Sequence, residues 1–184
     1  MNLFHFSSEP DIKVFVPRVK ANRTDMPPVV WAIDQEHAFT FYFPRNCPRI
    51  VYTRSGGINR EDEARFFGLS CADKIITVET QWYKAIKEST IYRYTLPSAS
   101  FQLFDKTAGY YISEQTVTPV VMKPMRDLIG KLADLNIEIR LTPNLHPLKE
   151  AILNSTLDDF GIHRFHLAKP FEQGRPIADN KGNV

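Results

Sequence analysis

The chain has 184 residues, 43% hydrophobic and 24% charged, with a formal net charge of +2 from 23 basic and 21 acidic side chains. This is the composition of one globular domain with a real core, and it carries no overall charge argument for nucleic acid or a membrane surface. No apolar run approaches the ~20 residues of a membrane span, and MNLFHFSSEPD lacks the basic-then-apolar order of a signal peptide. Cys47 and Cys71 have no CxxC spacing, so a disulfide framework is not expected and a reducing, cytoplasmic setting is.

In chain order, LFHF at Leu3–Phe6 reads as a short strand, followed by a turn or helix start at Ser7–Pro10. Arg18–Pro28 is polar, ends in two prolines and reads as an exposed loop. Val29–Ile33 and Ile50–Thr53 are β-branched apolar runs expected as short buried strands. Between them Gln35–Phe43 fits a short helix ended at Pro44. Asn59 is placed to cap a helix over Arg60–Phe67, with three acids in its first turn and Gly68 at its stop.

Lys74–Glu79 is a strand, Thr80 caps a helix over Gln81–Lys87, and Thr90–Leu96 alternates as a half-exposed strand. Ser100–Phe104 and Gly109–Ser113 read as strands around a turn, and Val117–Lys123 as an edge or bent strand because of Pro119. Pro124 is expected to open a helix with Leu128, Ile129, Leu132 and Leu135 as its apolar stripe, stopped at Asn136. Ile137–Leu141 alternates as a strand, and Pro147 opens a last helix through about Leu157. His163 and His166 read as solvated, and polar turn formers make 169–184 a loosely ordered tail. The sum is one α+β domain over 1–168, with a bent mixed or antiparallel sheet, helices packed against it, and no regular βαβ alternation.

Candidate chemistry gathers in three places. His5 alternates with Phe4 and Phe6, so burial of the two rings turns the imidazole to the other face, with Ser7. Within Val29–Thr53 stand Trp31, Asp34, His37, Tyr42, Arg45 and Arg49, an acid, an imidazole, two guanidiniums and aromatic rings in one stretch. Asp34 and His37 are three apart, the spacing at which an acid orients an imidazole; Asp34 reads equally as a helix cap. Arg18, Arg45 and Arg49 offer planar two-pronged contacts to phosphate or carboxylate, or else solvated turn arginines. On GYYISE, Tyr110 shares a face with Ile112, Tyr111 shares the other with Ser113, and Glu114 ends the strand. There is no Walker loop, GxGxxG, GxSxG or paired-histidine spacing, so neither a metal site nor a nucleophile triad is expected.

Three pieces, LFHFSSEPDIKVFVPR, VVWAIDQEHAFTFYFPRNCPRIVY and AGYYISEQTVTPV, resemble an uncharacterised bacterial family of unknown function seen in Bacillus-like and other soil bacteria. More distantly, the order of signals resembles the ADP-ribosyltransferase-like fold. That resemblance implies His5 on the nicotinamide ribose, Trp31 or Tyr42 stacked on nicotinamide, and Glu114 stabilising an oxocarbenium-like charge. It implies NAD or an ADP-ribose-bearing nucleotide as ligand, with His5 and Glu114 catalytic. Ser7, Asp34, His37, Arg45, Tyr110 and Ser113 are the expected ligand contacts. The other reading is a non-catalytic ligand-binding or interaction module on the same fold.

Overall fold

A computed structural model describes residues 1–20 and 24–171. The elements run β1 (Leu3–Ser7), β2 (Val30–Ile33), β3 (Arg49–Thr53), α1 (Arg60–Phe66), β4 (Lys74–Glu79), α2 (Tyr83–Glu88), β5 (Ile91–Leu96) and β6 (Gln102–Asp105). They continue with β7 (Tyr110–Ser113), β8 (Val121–Met125), α3 (Leu128–Ala133), β9 (Glu138–Thr142), α4 (His146–Leu153) and β10 (Phe160–His163). The fold is α+β, but the strands form two sheets rather than one bent sheet. The larger is antiparallel, in the order β6-β7-β2-β1-β5-β8; the smaller is β10-β3-β4-β9, with β4 and β9 parallel.

Alternation along the strands explains how the two sheets share a core. In the larger sheet Phe4 pairs with Ile33, and Ile33 with Tyr110, so these side chains lie on one face. In the smaller sheet Val51 pairs with Ile76. Phe4, Ile33, Val51, Ile76 and Val78 belong to one buried cluster, completed by Phe39 and Phe43 and by Leu128 and Leu132 of α3. The outer face of the smaller sheet, with Ile50, Tyr52 and Ile75, packs on Phe66 at the end of α1 and Ile152 of α4. The outer face of the larger sheet, with Leu3, Val30, Ala32 and Tyr94, is covered by Phe15 and Val117, whose backbones form an isolated bridge.

Several local expectations hold for the stated reasons. Asn59 caps α1 by accepting from the Asp62 N–H at 2.8 Å, and Gly68 ends it with φ +55°. Asn136 takes the left-handed stop after α3 at φ 55°. Others need correction. Gln35–Phe43 is not an α-helix but holds a single 3-10 turn over Ala38–Phe41. The strand expected over Val117–Lys123 is shifted to β8, and Pro124 lies inside it rather than opening a helix. Proline is tolerated there because β8 is the sheet's edge, with only β5 beside it. The helix starts instead at Leu128, capped by Asp127, whose carboxylate accepts from the Gly130 N–H at 3.2 Å. Leu135 falls outside the helix's buried stripe and is exposed. Of the expected tail, 172–184 lie outside the described residues. Lys169 and Pro170 are held: the Lys169 N–H donates to the buried Glu79 carboxylate at 2.9 Å, and Asn144 donates to the carbonyls of both.

Candidate functional site

The inner faces of β2 and β7 and those of β3 and β10 carry polar and aromatic side chains near the sheet edges. Arg49 opens β3 and is only 5% exposed. Its Nε donates to the Thr40 carbonyl at 2.7 Å and its Nη1 to the Cys47 carbonyl at 2.9 Å. The guanidinium carbon stands 5.1 Å from the Phe43 ring centre and 5.9 Å from that of Phe41. No carboxylate pairs with it among the described residues. Burial pulls its pKa down to about 10, so it remains a cation at neutral pH.

His163 stands directly across from Arg49 in the β10–β3 register. Its ring meets the Phe41 ring at 6.2 Å, edge to face. Burial first, then the positive charges of Arg49 and Arg164, push its pKa down to about 3. The imidazole is therefore neutral at physiological pH. It is not the solvated histidine expected from the sequence. His166, three residues on, is exposed. Arg164 is exposed and holds a left-handed backbone at φ 53°, a conformation arginine rarely takes.

The facing wall is aromatic. Tyr110 lies 6.2 Å from Phe41 and 5.8 Å from Trp31, both edge to face, and Trp31 meets Phe104 at 5.1 Å. The Lys20 ammonium sits 3.6 Å above the Trp31 ring. Burial raises the Tyr110 phenol pKa while Arg49 opposes the rise, so the tyrosine and the arginine share one electrostatic neighbourhood.

The end of β2 carries a second constellation. One Asp34 carboxylate oxygen accepts both the His37 backbone N–H at 2.9 Å and the His37 Nδ1–H at 2.8 Å. Their three-residue spacing thus makes the acid–imidazole pair expected of it. With Nδ1 bonded this way, Nε2 of a neutral ring is left as the acceptor. Gly109 makes this possible: at φ +68°, a Cβ there would stand 2.2 Å from His37 Nδ1. The pair leads into the 3-10 turn whose Thr40 carbonyl holds Arg49.

The other expected site residues lie elsewhere. His5 is on the larger sheet's outer face, opposite Trp31 and Tyr110. It is half-buried, bonds the Trp31 carbonyl at 3.0 Å through Nδ1 and packs 4.7 Å from Phe15. Burial lowers its pKa, assisted by Arg18, Lys20 and Arg45. Ser7 accepts from the Glu9 N–H in a local turn, and Arg45 lies exposed 3.7 Å from the Glu9 carboxylate. Ser113 is buried and donates to the Ser100 hydroxyl at 3.0 Å. Tyr42 is buried in the inner core against Phe6. Glu114 is exposed past the far end of β7 from Gly109. The fold therefore joins Trp31 to Tyr110 and Asp34 to His37, and does not bring His5 and Glu114 to that wall. His163 and Arg164 were missed. The available signal was the alternation of FGIH, which puts Gly161 and His163 on one face of a strand.

Among the described residues no group of His, Cys, Asp and Glu stands together that could hold a metal ion. No helix of the described residues is long and apolar enough to cross a membrane. Fold and site thus define a two-sheet α+β domain with a cationic, aromatic inner face. Residues 4–168 match the model of a family of unknown function, DUF6886, and the chain belongs to that family. No curated protein and no solved structure matches it.

Proposed function

We propose that the protein binds a nucleotide, of the NAD or ADP-ribose class, between the inner faces of the two sheets. The observation that carries this reading is Arg49, a buried cation bonded only to backbone carbonyls beside a neutral histidine. A structural arginine at such a depth ordinarily has a carboxylate partner, because burying an unpaired charge is costly. A ligand phosphate supplies the missing charge in the geometry that guanidinium favours. Trp31, Tyr110 and Phe41 supply the apolar surface against which a base or nicotinamide ring packs.

The placement of His5 and Glu114 favours binding over the transfer chemistry that the ADP-ribosyltransferase-like resemblance implies. A transferase acting at this face needs an acid or base there, and Asp34–His37 is the available pair. Titration with NAD, ADP-ribose and mononucleotides, followed by melting temperature and by tryptophan fluorescence, tests the reading. A ligand at about 100 times its Kd stabilises a fold by about 2.7 kcal/mol. For a chain of this size that is a rise of roughly 5–10 °C. The ligand should also quench fluorescence in the wild type and not in Trp31→Phe, which retains Trp82. Absence of any thermal shift and any quench across the series would overturn the proposal.

A further inference from the structure

We infer that Arg49, His163 and Arg164 form a receptor for a terminal phosphate, the dianionic phosphomonoester end of a nucleotide, rather than for a bridging pyrophosphate. The inference rests on the nucleotide-binding reading above and moves its ligand from NAD and ADP-ribose, which carry only a bridging pyrophosphate, to a nucleoside monophosphate.

Three observations support it. First, donors are left over. Arg49 spends Nε and Nη1 on carbonyls, and Nη2 has no partner among the described residues; neither has either ring nitrogen of His163. These atoms are not sealed in, because the only fully enclosed unpartnered side-chain polar atoms among the described residues are Thr77 Oγ1 and Arg93 Nε. Second, charge accumulates without an answering acid. Arg49 and Arg164 both act on His163, and both also act on Tyr110 across from it. Asp105 bears on Tyr110, but its carboxylate accepts from the Ala108 N–H at 3.0 Å. Third, Arg164 is held in a left-handed backbone, and strained residues of this kind cluster at active sites and ligand clamps.

Two fixed positive charges and a neutral N–H donor suit a group with two negative charges and three equivalent oxygens. A bridging diphosphate spreads single charges over two phosphorus centres and so offers less charge to one pair of cations. A bound dianion also favours the protonated imidazole, so occupancy should move the His163 titration up from the acid range.

The test compares adenosine 5′-monophosphate with ADP-ribose and adenosine by calorimetry at fixed ionic strength. The variants are Arg164→Asn, which tolerates the left-handed backbone while removing the charge, and Arg164→Lys, which restores it. Histidine-labelled protein gives the His163 titration with and without the monophosphate. The monophosphate should bind at least tenfold tighter than ADP-ribose. Arg164→Asn should erase most of that preference and Arg164→Lys recover part of it, and the His163 midpoint should rise with ligand. If ADP-ribose binds as well as the monophosphate and Arg164→Asn affects neither, the receptor is refuted and the nucleotide reading stands. If no nucleotide binds, both fall.

Discussion

Replacing His163 with glutamine should flatten the acid side of the stability profile. The histidine is held at a pKa of about 3 in the fold. An unperturbed histidine titrates near 6.5. The folded value is the lower one, so between them the unfolded chain binds the extra proton. Stability is therefore intact above the unfolded pKa and is lost as the pH falls toward the folded value. Integrated from about pH 7 to about pH 5, a depression of this size removes on the order of 2 kcal/mol, or roughly 4–8 °C of melting temperature for a chain this long. His5 adds a loss of the same sign, because burial lowers its pKa too. Urea titrations at the two pH values measure the effect in each protein. The difference between pH values is the readout, so any packing change made by the substitution cancels. The glutamine variant should lose about 2 kcal/mol less than the wild type over this interval. If both lose the same amount, the imidazole is not held neutral by burial and the charges of Arg49 and Arg164, and the electrostatic account of the site fails.

Gly109→Ala should cost roughly 2–4 kcal/mol, from the left-handed backbone and from breaking the Asp34–His37 contact. Gly56→Ala is the control, since nothing lies within 4 Å of a Cβ there; equal melting temperatures for the two variants would refute the argument. Ending the chain after Ala168 rather than after Phe171 removes the Lys169 N–H from the buried Glu79 carboxylate. The shorter chain should be less stable by about 1–3 kcal/mol in chemical denaturation, and equal midpoints would show that this bond contributes nothing.

Local signals were read from the sequence where a single residue decides them. Asn59 caps, Gly68 and Asn136 stop, and β-branched runs at Val30–Ile33 and Lys74–Glu79 become strands, because each depends on neighbours within a few positions. Pro124 misled for the same reason. Proline at a helix start and proline on an edge strand look alike until the partner strand is known, and β5 supplies the partner from some thirty positions earlier. The division into two sheets was also hidden, since β3 and β4 break the run of strands that pair around β1.

The site shows this limit most clearly. Asp34 and His37 are local and could be paired from spacing alone. Trp31 and Tyr110 were each singled out, but only the β2–β7 register puts them on one wall. Arg49 and His163 face each other through a pairing that spans more than a hundred residues, so no window of sequence could have joined them.

A cost borne in common links these residues. Arg49 is a buried cation without a carboxylate, His163 is an imidazole that cannot protonate in the physiological range, and Arg164 holds a backbone that favours glycine. Desolvation weighs on Arg49, desolvation joined by charge repulsion on His163, and steric strain on Arg164. An internal aspartate could relieve the first two, yet the described residues place none there. Such an acid would also occupy the donors and cancel the charge that a ligand needs. Departures from local consistency are tolerated where function requires them. Under the proposed reading, an anion entering between the sheets would answer the unpaired guanidinium, favour the protonated imidazole and meet the charge of Arg164 in one step.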